Sequence, residues 1–163
     1  MLVRVATEAD ASGCANVMIE AMSSSDDYKR PKADDIRAQC MERVSGYLAG
    51  SYYPGYAKDE RAVYVAERSG EIIGFIAGHR TMRHGGDAEV QWAFVLPEWQ
   101  RRGIGSSLFA LLKKWFTQHR MKKVYVNAPV TMNTRAFYEK HGAHAMTEQW
   151  LVWEDIEQKQ AKK

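Results

Sequence analysis

Apolar residues recur along this chain in two rhythms. Alternation with period two predicts strands at Leu2–Val5, Ala62–Glu67, Glu71–Arg83, Glu89–Leu96, Lys123–Asn127 and Gln149–Trp153. A period of 3.6 predicts helices. Cys14, Val17, Met18, Ala21 and Met22 form one stripe; Ile36, Cys40, Val44 and Leu48 form another, within a helix from about Lys32 to Ala49. Ile104, Leu108, Leu111, Leu112 and Trp115 form a third, and Thr131–His141 suits a fourth helix closed by Gly142. Thr7-Glu8-Ala9-Asp10 reads as a capping box ahead of the first helix. Turns are expected at the aromatic loop Ser51-Tyr52-Tyr53-Pro54-Gly55-Tyr56, at Ser69-Gly70 and at the hairpin His84-Gly85-Gly86-Asp87. The order βααβββαβαβ describes a mixed α/β (α+β) fold, with a mostly antiparallel central sheet flanked by helices.

With 163 residues, 45% of them hydrophobic, the chain suits a single domain over 1–163, its tail from 155 frayed. The longest apolar run, Ile72–Gly78, is far short of the roughly 20 residues of a membrane span, and Met1–Asp10 holds no apolar leader. The expectation is therefore a cytoplasmic protein without a membrane partner. Cys14 and Cys40 fall on apolar stripes and read as core thiols rather than a disulfide. Charge is unevenly spread: residues 97–123 hold seven basic and one acidic side chain, against seven and ten over the first 60. That concentration points to one bound anion, not to a surface basic all over.

The chemistry concentrates in Glu89-Val-Gln-Trp-Ala-Phe-Val-Leu-Pro-Glu-Trp-Gln-Arg-Arg-Gly-Ile-Gly-Ser106, a strand, a glycine-bearing turn and a helix start. Amides at a helix N-terminus lack intrahelical partners, and the helix dipole favours an anion there. Gly103 and Gly105 would let a phosphate approach the backbone, with Arg101 and Arg102 adding charge. A dinucleotide fingerprint would need glycine at Leu108, and a P-loop would need Gly-Lys-Ser/Thr, which the chain lacks. The arrangement Gln/Arg-x-x-Gly-x-Gly/Ala is matched by Gln100-Arg101-Arg102-Gly103-Ile104-Gly105.

That loop resembles the pyrophosphate loop of the GNAT N-acetyltransferases, and its context strengthens the likeness. Glu89 precedes Gln100 by eleven residues, Val95-Leu96-Pro97 follows, and Phe137-Tyr138-Glu139-Lys140-His141-Gly142 stands where the family keeps a helix with Phe/Tyr-Tyr-Glu-Lys-x-Gly. The resemblance spans the whole chain. Two departures are visible. Thr131 holds the place of the family's Asn seven residues before the Tyr, with Asn133 well round a helix from Tyr138, and Gly142-Ala143 replaces Gly-Phe.

The resemblance implies acetyl-CoA as co-substrate and amine attack on its thioester. It implies Glu89 as general base, with a carboxylate of raised pKa, and Tyr138 as general acid to the departing thiolate. Glu89 taken alone reads also as a solvated or substrate-orienting carboxylate, and Tyr138 as a core aromatic. The family's strand bulge places the oxyanion donor around Phe94, Val95 and Leu96. The cofactor contacts implied are these three with Gln100, Arg101, Arg102, Gly103, Ile104, Gly105, Ser106 and Asn133. No metal is implied; His141 and His144 lack a third ligand. Ser23–Tyr28, Asp34-Asp35 and the rings of Tyr52, Tyr53 and Tyr56 suggest a cationic acceptor such as a small primary amine. A peptide or protein amine, and a non-catalytic CoA sensor, are the alternatives. A nucleic-acid partner is not expected, since no base-reading motif accompanies the basic segment. Trp92, Trp99 and Trp150 suit the core or a partner subunit, which leaves a homodimer open.

Overall fold

The two rhythms sort into one sheet with helices on both faces. The computed structural model describes residues 1–25 and 33–158, without the side chains of 33–35. In order come β1 (Leu2–Val5), α1 (Ala11–Ser24), α2 (Ala33–Ala49), β2 (Ala57–Arg68), β3 (Glu71–Thr81), β4 (Ala88–Val95), α3 (Ile104–Gln118), β5 (Val124–Asn127), α4 (Arg135–Lys140), β6 (His144–Ala145) and β7 (Trp150–Trp153). The seven strands lie in the order β1-β2-β3-β4-β5-β7-β6, and every neighbouring pair is antiparallel except β4 with β5.

Neighbouring residues of a strand point to opposite faces, and β3 shows which helix covers which. A Cβ on Gly78 would lie 2.7 Å from Phe116 Cζ and 3.1 Å from Leu112 Cδ1, so α3 covers that face. His79 turns the other way, to Tyr47 of α2, with α1 packed beside α2. The α3 stripe is deep: Ile104, Leu108, Leu112 and Phe116 are all buried, whereas Leu111 and Trp115 are half-buried at its margin. At the N-terminus, the Asp10 carboxylate accepts the Thr7 N–H at 2.8 Å and both terminal Arg4 nitrogens at 2.7 and 2.9 Å. The expected capping box is thus also a clamp between β1 and α1. Its hydrogen bonds from Arg4 hold the Asp10 carboxyl below the usual carboxylate range, against burial. Cys14 and Cys40 are free and buried, and burial pushes the Cys14 thiol up to about 12.

The elements differ from the sequence reading at several points, among them β3, which ends at Thr81 and not Arg83. β2 starts at Ala57, which pairs with Thr81, ahead of Lys58-Asp59-Glu60, an exposed irregularity in the ladder without apolar alternation. The two-residue β6 is too short to show a period. The last helix starts at Arg135, not Thr131, because the buried Arg135 guanidinium donates to the carbonyls of Ala128, Thr147 and Glu148 and pins residues 128–134 as a loop. The tail is not loose from 155: Ile156 is buried and its N–H donates to Lys122 O at 2.8 Å. Residues 159–163 lie outside the described ones.

Removing the ring at the centre of the α3 face should show its weight. Phe116→Ala is expected to cost about 3–5 kcal/mol, and Gly78→Ala about 1–3 kcal/mol through overpacking, both read as shifts of the urea midpoint at constant m.

Candidate active site

β4 pairs with β3 along its length but with β5 over only three residue pairs, from Ala88 with Val124 to Val90 with Val126. The break has a local cause. Gly78 pairs with Val90 and Ala77 with Trp92, so Gln91 is an extra residue in β4. Such a bulge bends and twists its strand, and this one falls immediately after the last parallel pair. The bulge itself lies at Gln91, ahead of the Phe94–Leu96 backbone on which the resemblance put the oxyanion donor. Leu96 in particular is buried in the core and donates its N–H to Ile73 O at 2.8 Å, so its amide is not available to a ligand.

Two clefts flank the opening. One, of about 810 Å³, is lined by Phe94, Val95, Gln100, Arg101, Gly103, Ile104, Gly105, Ser106, Asn133 and Tyr138 among others. The second, of about 530 Å³, is walled by Met18 and Met22 of α1, by Ile36, Cys40 and Arg43 of α2, and by Arg83, Glu89, Trp92 and Trp150. Ala93, Phe94, Thr134 and Tyr138 line both clefts, so the two meet there.

The loop before α3 is built for its conformation. Gln100 Nε2 donates to Val95 O at 2.9 Å and closes the turn. Gly103, the residue ahead of the helix, has φ +84°, a left-handed backbone that glycine adopts without strain. Nothing lies near its absent Cβ, whereas a Cβ on Gly105 would sit 3.2 Å from Phe137 Cε2. The two glycines therefore serve different needs: Gly103 the turn, Gly105 the approach of α4. With no side chain at the cap, the first amides of α3 have no capping partner and face the cleft wall with the positive end of the helix. Arg101 lines the cleft. Arg102 does not; its guanidinium stacks 4.9 Å from the Trp99 ring. Ser106 Oγ lies 3.1 Å from His141 Nε2, and His144 turns to Glu154, so the two histidines do not converge. Asn133 precedes α4 instead of riding on it. The helical offset from Tyr138 therefore does not apply, and both residues line the same cleft. Tyr138 is buried, its ring edge-on to Phe137 and Trp153.

The profile of the acetyltransferase (GNAT) family matches residues 23–143. The chain belongs to this family. Solved GNAT structures share its fold. The PaiA N-acetyltransferase of Thermoplasma acidophilum, in complex with coenzyme A, superposes with a TM-score of 0.76 at 14% identity, over 95% of this chain and 99% of that one. A GNAT family acetyltransferase of Brucella melitensis in complex with acetyl-CoA gives 0.62 at 16%, over 93% and 85%. A ribosomal-protein-alanine N-acetyltransferase of Brucella melitensis biovar Abortus 2308 gives 0.62 at 18%, over 90% and 95%. No curated protein matches the chain in sequence.

Within this GNAT domain, Glu89 is not the raised-pKa carboxylate that was expected. It is buried, which disfavours its charge. Yet His79 stands 3.5 Å from its Oε2, and its Oε1 accepts the Thr81 hydroxyl at 2.9 Å and Arg83 Nε at 2.6 Å. These partners outweigh burial and hold the carboxyl below its ordinary range. The aromatic loop also departs from expectation. Arg61 lies over the Tyr53 ring and Arg83 over Tyr56 and Trp150, so the protein's own cations occupy those faces. The charged residues lining the second cleft, among the described ones, are Arg43, Arg83 and Glu89. Asp26, Asp27 and Tyr28, and the side chains of Asp34 and Asp35, lie outside them. Trp92 and Trp99 pack against the core, and Trp150 lines the cleft. Among the described residues no helix is long and apolar enough to cross a membrane. Sequence reasoning missed Tyr47, His79, Thr81 and Arg83, because their link to Glu89 is across strands and helices.

Because the Glu89 carboxyl is depressed in the fold, its stabilising contribution is complete above the unfolded carboxylate value. It is lost as pH falls through the folded value, below the ordinary 4.5. Acidification from neutrality to about pH 3 should therefore lower the urea midpoint of wild type more steeply than that of Glu89→Gln.

Proposed function

We propose that this chain is an acyl-CoA-dependent N-acyltransferase of the cytoplasm that transfers acetyl from acetyl-CoA to a primary amine of a small molecule. The observation that carries this reading is the meeting of two clefts at Tyr138, one walled by the α3 loop and the other by Glu89.

The pyrophosphate of acetyl-CoA would sit on the first amides of α3, where an anion is stabilised by unpartnered N–H groups and the helix dipole, with Arg101 adding charge. Its pantetheine arm would run along β4 in the opening that Gln91 creates, beside Asn133. The acceptor would enter from the second cleft. There the amine nitrogen attacks the thioester carbonyl carbon, and the carbonyl oxygen becomes an oxyanion. Its stabilisation falls to the β4 backbone beyond Gln91, where β5 no longer pairs. The C–N bond forms, the C–S bond breaks, and the Tyr138 hydroxyl gives its proton to the leaving thiolate. Glu89, ionised through the neutral range, attracts the acceptor's ammonium and takes the proton it must lose before attack, directly or through water; the proton that nitrogen loses after attack restores the Tyr138 phenol. A carboxylate this acidic is a modest proton store, so its charge and its orientation matter as much as its basicity.

Thermal shift with acetyl-CoA, run beside ATP, NAD and a DNA duplex, tests the co-substrate. Ligand at 100 times Kd stabilises by about 2.7 kcal/mol, roughly 5–11 °C in Tm for a domain of this size. A shift with acetyl-CoA alone is expected; none in folded protein would reopen the reading. Amines are then screened by thiol release. Tyr138→Phe should lower kcat by about 10²–10⁴-fold and leave the acetyl-CoA Kd, by calorimetry, within about twofold of wild type; an unchanged kcat removes Tyr138 from the acid role.

A further inference from the structure

Behind Glu89 a buried chain of two side chains runs to the helix that walls the second cleft. Tyr47 of α2 and His79 of β3 are both fully buried. The Tyr47 hydroxyl lies 3.0 Å from His79 Nδ1, and His79 Nε2 faces Glu89 Oε2 at 3.5 Å, directly across the β3–β4 register. Oε1 is already taken by Thr81 and Arg83, so Oε2 is the oxygen left for proton traffic, and His79 is the group beside it.

The proton positions follow from satisfying buried groups. Burial, and the nearby Glu89 charge, push the Tyr47 phenol far above its ordinary range, with Arg61 opposing; it remains a phenol. A buried O–H needs an acceptor, and among the described residues His79 Nδ1 is the one within reach. With the Tyr47 hydroxyl donating, Nδ1 is the accepting nitrogen and Nε2–H is the ring donor, on the atom that faces the carboxylate. Nε2 makes no aligned hydrogen bond among the described residues; its separation from Oε2 closes to one with a shift of about half an ångström.

We propose that Tyr47 and His79 are positioning residues for amine deprotonation at Glu89. Tyr47 fixes the His79 tautomer, and His79 Nε2–H holds Oε2 as an ionised acceptor on the wall of the acceptor cleft. The inference rests on the role proposed for Glu89. It also ties that role to α2: Tyr47 lies on the helix whose Ile36, Cys40 and Arg43 line the cleft, so the acceptor's wall and the orientation of the carboxylate are one packed unit. The other groups facing this chain are Arg61 of β2, 4.7 Å from the Tyr47 ring centre, Thr81 and Arg83 at the end of β3, and Tyr125 opposite Glu89 on β5, whose hydroxyl donates to His84 O.

Two readouts test it. The first is ¹⁵N NMR of histidine-labelled protein without ligands, which reports the tautomer whether or not the chain is an acetyltransferase. His79, assigned by its loss in His79→Gln, is expected as the Nε2–H form, and Tyr47→Phe should shift its Nδ1 resonance, which loses the hydrogen bond from the phenol. A wild-type Nδ1–H ring, or identical shifts in Tyr47→Phe, overturns the proposal. The second is the titration of Glu89 by ¹³C NMR beside the acidic limb of kcat/KM. Both should move up by about one unit in His79→Leu, which removes the donor, and return toward wild type in His79→Gln, whose amide restores one. Tyr47→Phe should lower kcat/KM about tenfold, the worth of one such unit, with the acetyl-CoA Kd unchanged. A loss of Tm without movement of these titrations would mean a structural role only and overturns the proposal. Full activity in Glu89→Gln would instead overturn the role of Glu89 itself, a separate outcome from the tautomer.

Discussion

The site depends on where β4 stops pairing with β5. A parallel pair satisfies both strand edges, and continued to the strand ends it would seal the sheet. Gln91 prevents this by adding one residue to β4 opposite the junction of Ala77 and Gly78. The ladder to β5 ends at Val90, β3 keeps β4 in the sheet, and an opening results that is lined by the faces of Ala93 and Phe94. Both clefts are consequences of that break. Tyr138 reaches it because Arg135 pins residues 128–134 and delivers α4 to its mouth. Glu89 lies on the near side of the bulge, where the pairing is still intact and a carboxylate can be held rigidly.

The electrostatics follow the same division. On the first side, a helix N-terminus without a capping side chain and Arg101 offer diffuse positive potential to an anion. On the second, one buried carboxylate is compensated by Arg83, Thr81 and His79, so that it stays ionised in a place where burial alone would neutralise it. A fully compensated carboxylate is a weak base but a well-oriented one.

Much of this was legible along the chain. The α3 stripe, the alternating strands and the Gln100–Gly105 loop are local patterns, set by periods of 3.6 and 2 and by the φ demands of glycine. The spacing from Glu89 through Gln100 to Tyr138 sufficed to suggest one site. Less legible were positions set by partners distant in sequence. The bulge at Gln91 is a mismatch between two strands, visible in neither one. The start of α4 was misjudged because Arg135, which reads as a solvated helix residue, spends its guanidinium on carbonyls 7 to 13 residues away. Leu96 precedes the loop and Arg102 belongs to it, yet one is in the core and the other on Trp99.

The sequence by itself determined the element types, the central sheet and the glycine-bearing start of α3 without a capping side chain, since each arises from interactions within a few residues. Only the tertiary structure decided the state of Glu89. Its environment is assembled from α2, β3 and the turn after β3, segments 6 to 42 residues away, and the sign of its pKa shift is a balance between burial and the three donors they bring. Desolvation and hydrogen bonding are properties of a place in space, and a residue acquires them only when the chain has closed around it.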